Sequence, residues 1–170
     1  MSPASRYIEI MDTTLRDGEQ TSGVSFSASE KLTIAQLLLT DVKVDRIEIA
    51  SARVSDGEFA AVKAITKWAK GNGLLHKVEV LTFVDGDVSV QWMQKAGAKV
   101  MNLLTKGSLN HLTHQLKKKP EQHFAEVAAV IALARKKDWN AMYTWKTGVM
   151  ACVIRETMYF NTSISCKISR

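Results

Sequence analysis

The 170-residue chain is 46% hydrophobic and 24% charged, an ordinary balance for a domain with one buried core. Its net charge of +6 comes with only 7% aromatic residues and no basic face interleaved with aromatics, which speaks against nucleic-acid binding, and no run approaches the roughly 18 apolar residues of a membrane span. Two cysteines, Cys152 and Cys166, do not make a disulfide framework, and the first apolar run is too short for a secretory leader, so a cytoplasmic location is expected.

The first predicted element is a short alternating strand, Tyr7-Ile8-Glu9-Ile10-Met11, which runs into a burst of charge. Ser27-Ala28-Ser29-Glu30 is a capping-box pattern opening a helix that ends near Val42, with Leu32, Ala35, Leu38 and Leu39 on one face. Arg46-Ile47-Glu48-Ile49-Ala50 alternates as strand two. Ser55 or Asp56 then caps a helix whose Phe59, Val62, Ile65 and Ala69 recur at helical spacing until Gly71-Asn72-Gly73. Strand three is Lys77-Val78-Glu79-Val80-Leu81-Thr82-Phe83, followed by a helix over residues 88–95 that Gly97 closes. Strand four is Lys99-Val100-Met101-Asn102-Leu103-Leu104, residues 109–116 are helical, and Pro120 sits in the first turn of a helix through Lys137, with Phe124, Val127, Ala128, Ile131 and Leu133 apolar. Strands alternating with helices predict an α/β fold with parallel pairing through right-handed crossovers.

A fifth strand is due soon after Lys137, yet residues 138–170 show neither a helical face nor clean alternation. Residues 141–145 and 149–154, flanking Lys146-Thr147-Gly148, fit a hairpin, and the expected division is 1–137 as the regular domain with 138–170 as an irregular, atypical tail. His111 and His114 have a spacing that suits zinc but fit a solvated helix surface better, and His76 and His123 stand alone. Asn161-Thr162-Ser163 is a glycosylation triplet with no use in a cytoplasmic chain.

The densest chemistry lies in Asp12-Thr13-Thr14-Leu15-Arg16-Asp17-Gly18-Glu19-Gln20, at the carboxyl end of strand one. A carboxylate there suits a hard divalent cation and a neighbouring guanidinium suits an oxyanion. The same residues also fit a plain polar loop in which Arg16 pairs with Asp12 or Glu19.

That stretch, DTTLRDGEQ, together with IEIASARVS, EVLTFVDG and NLLTKGSLNH, resembles the acyl-CoA condensing enzymes that make 2-isopropylmalate, citramalate and homocitrate, in the metal-dependent pyruvate-carboxyltransferase-like superfamily. The resemblance runs from Tyr7 to about Lys137 and implies the N-terminal half of a (β/α)8 TIM barrel, with four to five parallel strands. It implies a Claisen condensation of acetyl-CoA with a 2-oxo acid, on the route to branched-chain amino acids, assisted by a divalent metal (Mg, Mn or Zn). By the same resemblance Asp17 is the metal ligand, Arg16 the catalytic oxyanion stabiliser, and Gln20 and Glu48 lie around the substrate and metal. Read without the resemblance, Glu48 is a strand-end carboxylate paired with Arg46 or Arg53. Leu81 and Leu104, at the ends of strands three and four, would wall a small pocket that fits the methyl group of pyruvate. The implied partners are the 2-oxo acid and acetyl-CoA, with no nucleic acid or membrane, and full-length relatives are expected to be homodimers.

Other parts of such a site are missing. No His-x-His occurs in the chain to supply the other metal ligands, so the 170 residues are expected to be inactive, and four strands of a barrel are expected to leave sticky edges. The break at Asp138 fits out-of-frame translation: codons read two bases later from there force Leu, Glu, Val, Glu and Gly and permit Val-Tyr-Leu-Glu-Asp-Trp-Ser-Asn-Gly-Met-Arg, which is similar to strand five of the same synthases. A lyase of the same superfamily and a non-catalytic interaction fragment are the competing readings.

Overall fold

Alternation in Arg46-Ile47-Glu48-Ile49-Ala50 sends two isoleucines to one face of a strand and two charged side chains to the other, and the whole sheet is built on that division. A computed structural model of the chain describes residues 8–106 and 108–146. Its strands are β1 (Met11–Asp12), β2 (Arg46–Ser51), β3 (Val78–Phe83), β4 (Val100–Lys106) and β5 (Asn140–Lys146), all parallel and in the order β1-β2-β3-β4-β5. Strands that add on one side only, without reversing, follow the arc of a barrel rather than the switch of a doubly wound sheet.

The helices are α1 (Ala28–Leu37), α2 (Asp56–Gly71), α3 (Val88–Ala96) and α4 (Pro120–Lys136). Ser27 and Glu30 close the expected capping box on α1, which continues as a π-helical turn over Leu38–Val42. Ser55 caps α2 by accepting the Glu58 N–H at 3.1 Å. Gly97, at φ 77°, ends α3 in the left-handed region where a side chain would be strained. No helix among the described residues is long and apolar enough to cross a membrane.

Ile47, Ile49, Val78, Val80, Met101 and Leu103 all belong to the buried core that includes Val62, Ile65, Met93, Val127 and Val130 from the helices. Each buried aliphatic side chain of that kind contributes about 1.5–3 kcal/mol of transfer free energy. The core therefore lies between the outer face of the sheet and its helices. The inner face carries Arg46, Glu48, Glu79 and Asn102, all buried.

Several expectations need correction. Strand one contracts to Met11–Asp12 because the Ile10 N–H goes to the Asp45 carboxylate at 2.8 Å instead of to a neighbouring strand, while its carbonyl still accepts from the N–H groups of Asp45 and Arg46; Tyr7 lies outside the described residues. Ile8, Ile10 and Met11 are exposed along this edge. Residues 141–145 fall within β5, which pairs with β4 from Val100↔Asn140 to Lys106↔Lys146 and so continues the parallel sheet. The expected hairpin partner at 149–154, both cysteines and Asn161 lie outside the described residues. The buried face of α4 is His123, Val127, Val130 and Ala134, and Ala128 is exposed.

His123 is thus a core group. Its Nε2 is 2.7 Å from the Thr105 hydroxyl on β4, while Nδ1 has no partner of good geometry among the described residues, although the Lys106 backbone nearby mildly favours the protonated ring. Burial, with the Lys118 charge adding to it, holds the imidazole pKa below its ordinary value. The unfolded chain then takes up this proton first. The contribution of His123 is complete above the ordinary histidine pKa of about 6.5 and is lost as pH falls through that value toward the lower folded one. Urea midpoints measured from pH 7.5 down to 5 should fall for the parent chain and fall less steeply for His123→Gln; equal slopes would show that His123 does not titrate on unfolding.

Candidate active site

The loop after β1 is built from its own backbone. The Asp12 carboxylate accepts from the Thr14 N–H at 2.9 Å and the Thr14 hydroxyl at 3.1 Å, and the Thr13 carbonyl gathers the N–H groups of Arg16, Asp17 and Gly18. Side-chain mimicry of a turn by aspartate is what lets the chain leave a strand this abruptly. Leu15 is driven into the core, and residues Gly18–Gln20 complete a 3-10 turn. Between these anchors the chain displays Arg16 and Asp17.

Arg16 donates from Nε to Glu48 Oε2 at 2.5 Å and from Nη1 to Asp17 Oδ1 at 2.6 Å. The other Glu48 oxygen accepts from Asn102 Nδ2 at 2.7 Å. Glu48 is on β2 and Asn102 on β4, so this bond passes over β3 and bridges two strand spacings, roughly 9–10 Å of sheet. It can form only because the sheet curls toward its inner face. Asp17 is the outward member, its side chain 59% exposed, whereas that of Glu48 has no exposure at all. Among the described residues Arg16 Nη2 carries no hydrogen bond, which leaves one edge of a fixed guanidinium for an oxyanion.

A second charged layer lies beside the first. Arg46 donates to Glu9 at 2.8 Å and to Glu79 at 2.6 Å, and Glu79 is the β3 neighbour of Glu48 in register. Two buried carboxylates side by side would repel, and each is held by its own guanidinium. Burial still raises the pKa of Glu79 against the pull of Arg46. Burial works to lower the pKa of Arg46, but Glu79 and Glu9 overcome it and the net shift is upward, so this guanidinium stays charged.

Neither of the plain pairings considered from sequence occurs. Asp12 is spent on Thr14, Glu19 bonds Lys31, Arg46 goes to Glu9 and Glu79, and Arg53 goes to Asp85 at 2.7 Å. Gln20 is exposed at the rim of a cavity of about 120 Å³ that Leu15, Arg16, Ala50, Ser51 and Glu58 also line. Leu81 and Leu104 lie two residues inside the carboxyl ends of β3 and β4 rather than at them. Register places both on the inner face, Leu81 opposite Asn102 and Leu104 opposite Phe83.

Sequence reading missed Asn102 and Lys31. Asn102 alternates with Val100 and Leu104, so its place on the inner face was available from strand period alone. Lys31 stands four and seven residues before Ala35 and Leu38, on the helix face assigned to the core, and a cation there should have prompted a search for carboxylates. No group of three or more His, Cys, Asp or Glu that could hold a metal ion occurs among the described residues. Asp17 offers one carboxylate, already shared with Arg16, and this donor set does not fit a bound divalent metal.

The family description HMGL-like matches residues 7–159. Among curated proteins the chain is 33% identical over 138 residues to the 2-isopropylmalate synthase of Oceanobacillus iheyensis, covering 79% of the chain and 26% of that protein. It is 38% identical over 118 residues to that of Pyrococcus furiosus, covering 69% and 23%. The chain therefore spans about a quarter of the length of these relatives. Among solved structures it is similar to the HMG-CoA lyase of Bacillus subtilis, with a TM-score of 0.56 at 19% identity, covering 84% of this chain and 47% of that one. A sheet laid down as a barrel arc, an inner face of paired charges and a match over most of its length together show that the chain belongs to the HMGL-like family of pyruvate-carboxyltransferase domains.

Proposed function

We propose that the chain carries the N-terminal part of the barrel of an acyl-CoA condensing synthase, of the 2-isopropylmalate or citramalate type, acting in the cytoplasm in branched-chain amino-acid biosynthesis. The observation that carries this reading is the guanidinium of Arg16, fixed at Nε and Nη1 at the mouth of the inner face with a third nitrogen unbonded among the described residues. In the condensation, the methyl carbon of acetyl-CoA loses a proton and bonds to the keto carbon of a 2-oxo acid. The keto oxygen then takes up negative charge, and a preorganised donor at that oxygen lowers the barrier. Arg16 is assigned to that oxygen. Glu48, with Asn102 behind it, holds the guanidinium in place, Gln20 approaches the substrate from the rim, and Leu81 and Leu104 form the apolar wall for a small methyl such as that of pyruvate.

Asp17 is assigned as the one metal ligand of this half, with acetyl-CoA as co-substrate. Completing a metal site takes ligands that the described residues do not bring together, so no step is assigned to a metal here. The lyase reading shares Arg16 and Asp17, but its support is likeness of fold at 19% identity, whereas the relatives at 33% and 38% are synthases. A non-catalytic interaction fragment is the remaining alternative.

The division at residue 137 belongs to the same proposal, with 138–170 read out of frame. Sequencing the locus should show, two bases out of register from Asp138, a continuing frame with a downstream His-x-His; an immediate stop would end the frame-shift account. Incubated with acetyl-CoA, pyruvate or 2-oxoisovalerate and Mg, Mn or Zn, the 170-residue chain should release no CoA above the uncatalysed rate. The chain restored to the shifted frame should release it, as water cleaves the thioester of the condensed product to a carboxylate and free CoA, and Arg16→Met should lower kcat there by about 10²–10³. Cleavage of a 3-hydroxyacyl-CoA without condensation would select the lyase instead.

A further inference from the structure

Lys31 is the most deeply buried cation among the described residues, 1% exposed, and nothing in the chemistry above uses it. Its ammonium donates to Glu19 Oε2 at 2.5 Å, to Glu58 Oε1, and to the carbonyl of Leu15 at 3.4 Å. Leu15 immediately precedes Arg16, and Glu19 follows Asp17 by two residues. One ammonium therefore grips the loop on both sides of the pair that faces the inner surface. Glu19 is held from its other side too, Oε1 accepting from the Phe26 N–H at 2.9 Å. Glu58 belongs to the first turn of α2, so the three charges join the loop, α1 and α2 at a single point.

Stability alone does not explain this choice of residues. Burying an ammonium with two carboxylates is expensive, and apolar groups of similar volume in such places are often as stable or more so. What a charge cluster supplies that a methyl cluster does not is direction, because each bond fixes one atom against another. The cluster lies against the cavity that Arg16 and Gln20 line, with Glu19 and Glu58 among its walls.

We propose that Lys31, with Glu19 and Glu58, is a positioning residue that sets the Arg16 guanidinium against Glu48. This deepens the reading of Arg16 as the oxyanion group and rests on it for its meaning. The geometry can be tested without any catalysis. The Nε–H of Arg16, part-buried in its bond to Glu48, should give a slowly exchanging signal in a ¹H–¹⁵N spectrum of the full 170-residue chain, assigned by its loss in Arg16→Lys. Lys31→Met should speed exchange of that one proton by about tenfold or more while the Ile49 and Met101 amides change by less than about twofold. Lys31→Arg, which can still bond both carboxylates, should restore most of the protection. Should Lys31→Met fail to fold, Glu19→Gln, which cuts only the loop side of the cluster, carries the comparison with the same expected selectivity. Exchange of the Arg16 proton that stays unchanged, or that rises only in step with the core amides, would overturn the proposal. An inactive chain would leave this readout intact, so failure of the synthase reading and failure of the positioning role are separately visible.

Discussion

Glu48 is a carboxylate with no exposed side-chain surface, and its two oxygens tie Arg16 from the β1 loop to Asn102 from β4. A buried charge is tolerated only when it is paired and its remaining lone pairs are used. Here those demands coincide with the geometry of a barrel arc. The bond to Asn102 requires the sheet to curl, and the bond to Arg16 requires the loop to fold over the curled edge. The neighbouring Arg46 with Glu79 and Glu9 repeats the arrangement one layer away, so that the inner face is held by charge pairs while the outer face is held by aliphatic burial.

This division of labour explains how the fold serves a site. The outer core of Ile47, Ile49, Val80, Met101 and Leu103 fixes strand spacing and register without needing any polar group. Inner-face residues are then free to be chosen for chemistry, and the strand period delivers them at fixed heights. The loop after β1 contributes the rest: Leu15 anchors it in the core, Asp12 makes the turn, and Lys31 holds it from behind. Arg16 is consequently presented by rigid supports on three sides.

Much of this was legible from sequence because it follows from period and punctuation. The capping box at Ser27, the stop at Gly97, the first-turn Pro120 and the alternation around Glu48 each placed an element correctly, and the parallel order followed from strands alternating with helices. The candidate residues Arg16 and Glu48 do meet, through a bond between positions 32 apart that no local pattern encodes. What sequence could not give was partner choice. The position of Lys31 on the core face of its helix was visible, but its carboxylates come from a loop and from α2, and the partner of Asn102 lies two strands away. The β5 strand was obscured for another reason: Asn140-Ala141-Met142-Tyr143-Thr144-Trp145-Lys146 lacks a clean apolar alternation, and pairing with β4 places it regardless. His123 stood alone in the sequence, and its pairing with Thr105, a residue in another element, is likewise not encoded locally.

The central claim is that Arg16 and Glu48 are energetically coupled rather than merely adjacent. A double-mutant cycle measures this directly, with Arg16→Met, Glu48→Gln and the double variant unfolded in urea under identical conditions. The account predicts that the two losses fail to add, with a coupling of about 1–3 kcal/mol. Losses that add to within about 0.5 kcal/mol would contradict it, because the guanidinium would then be held by something other than the buried carboxylate.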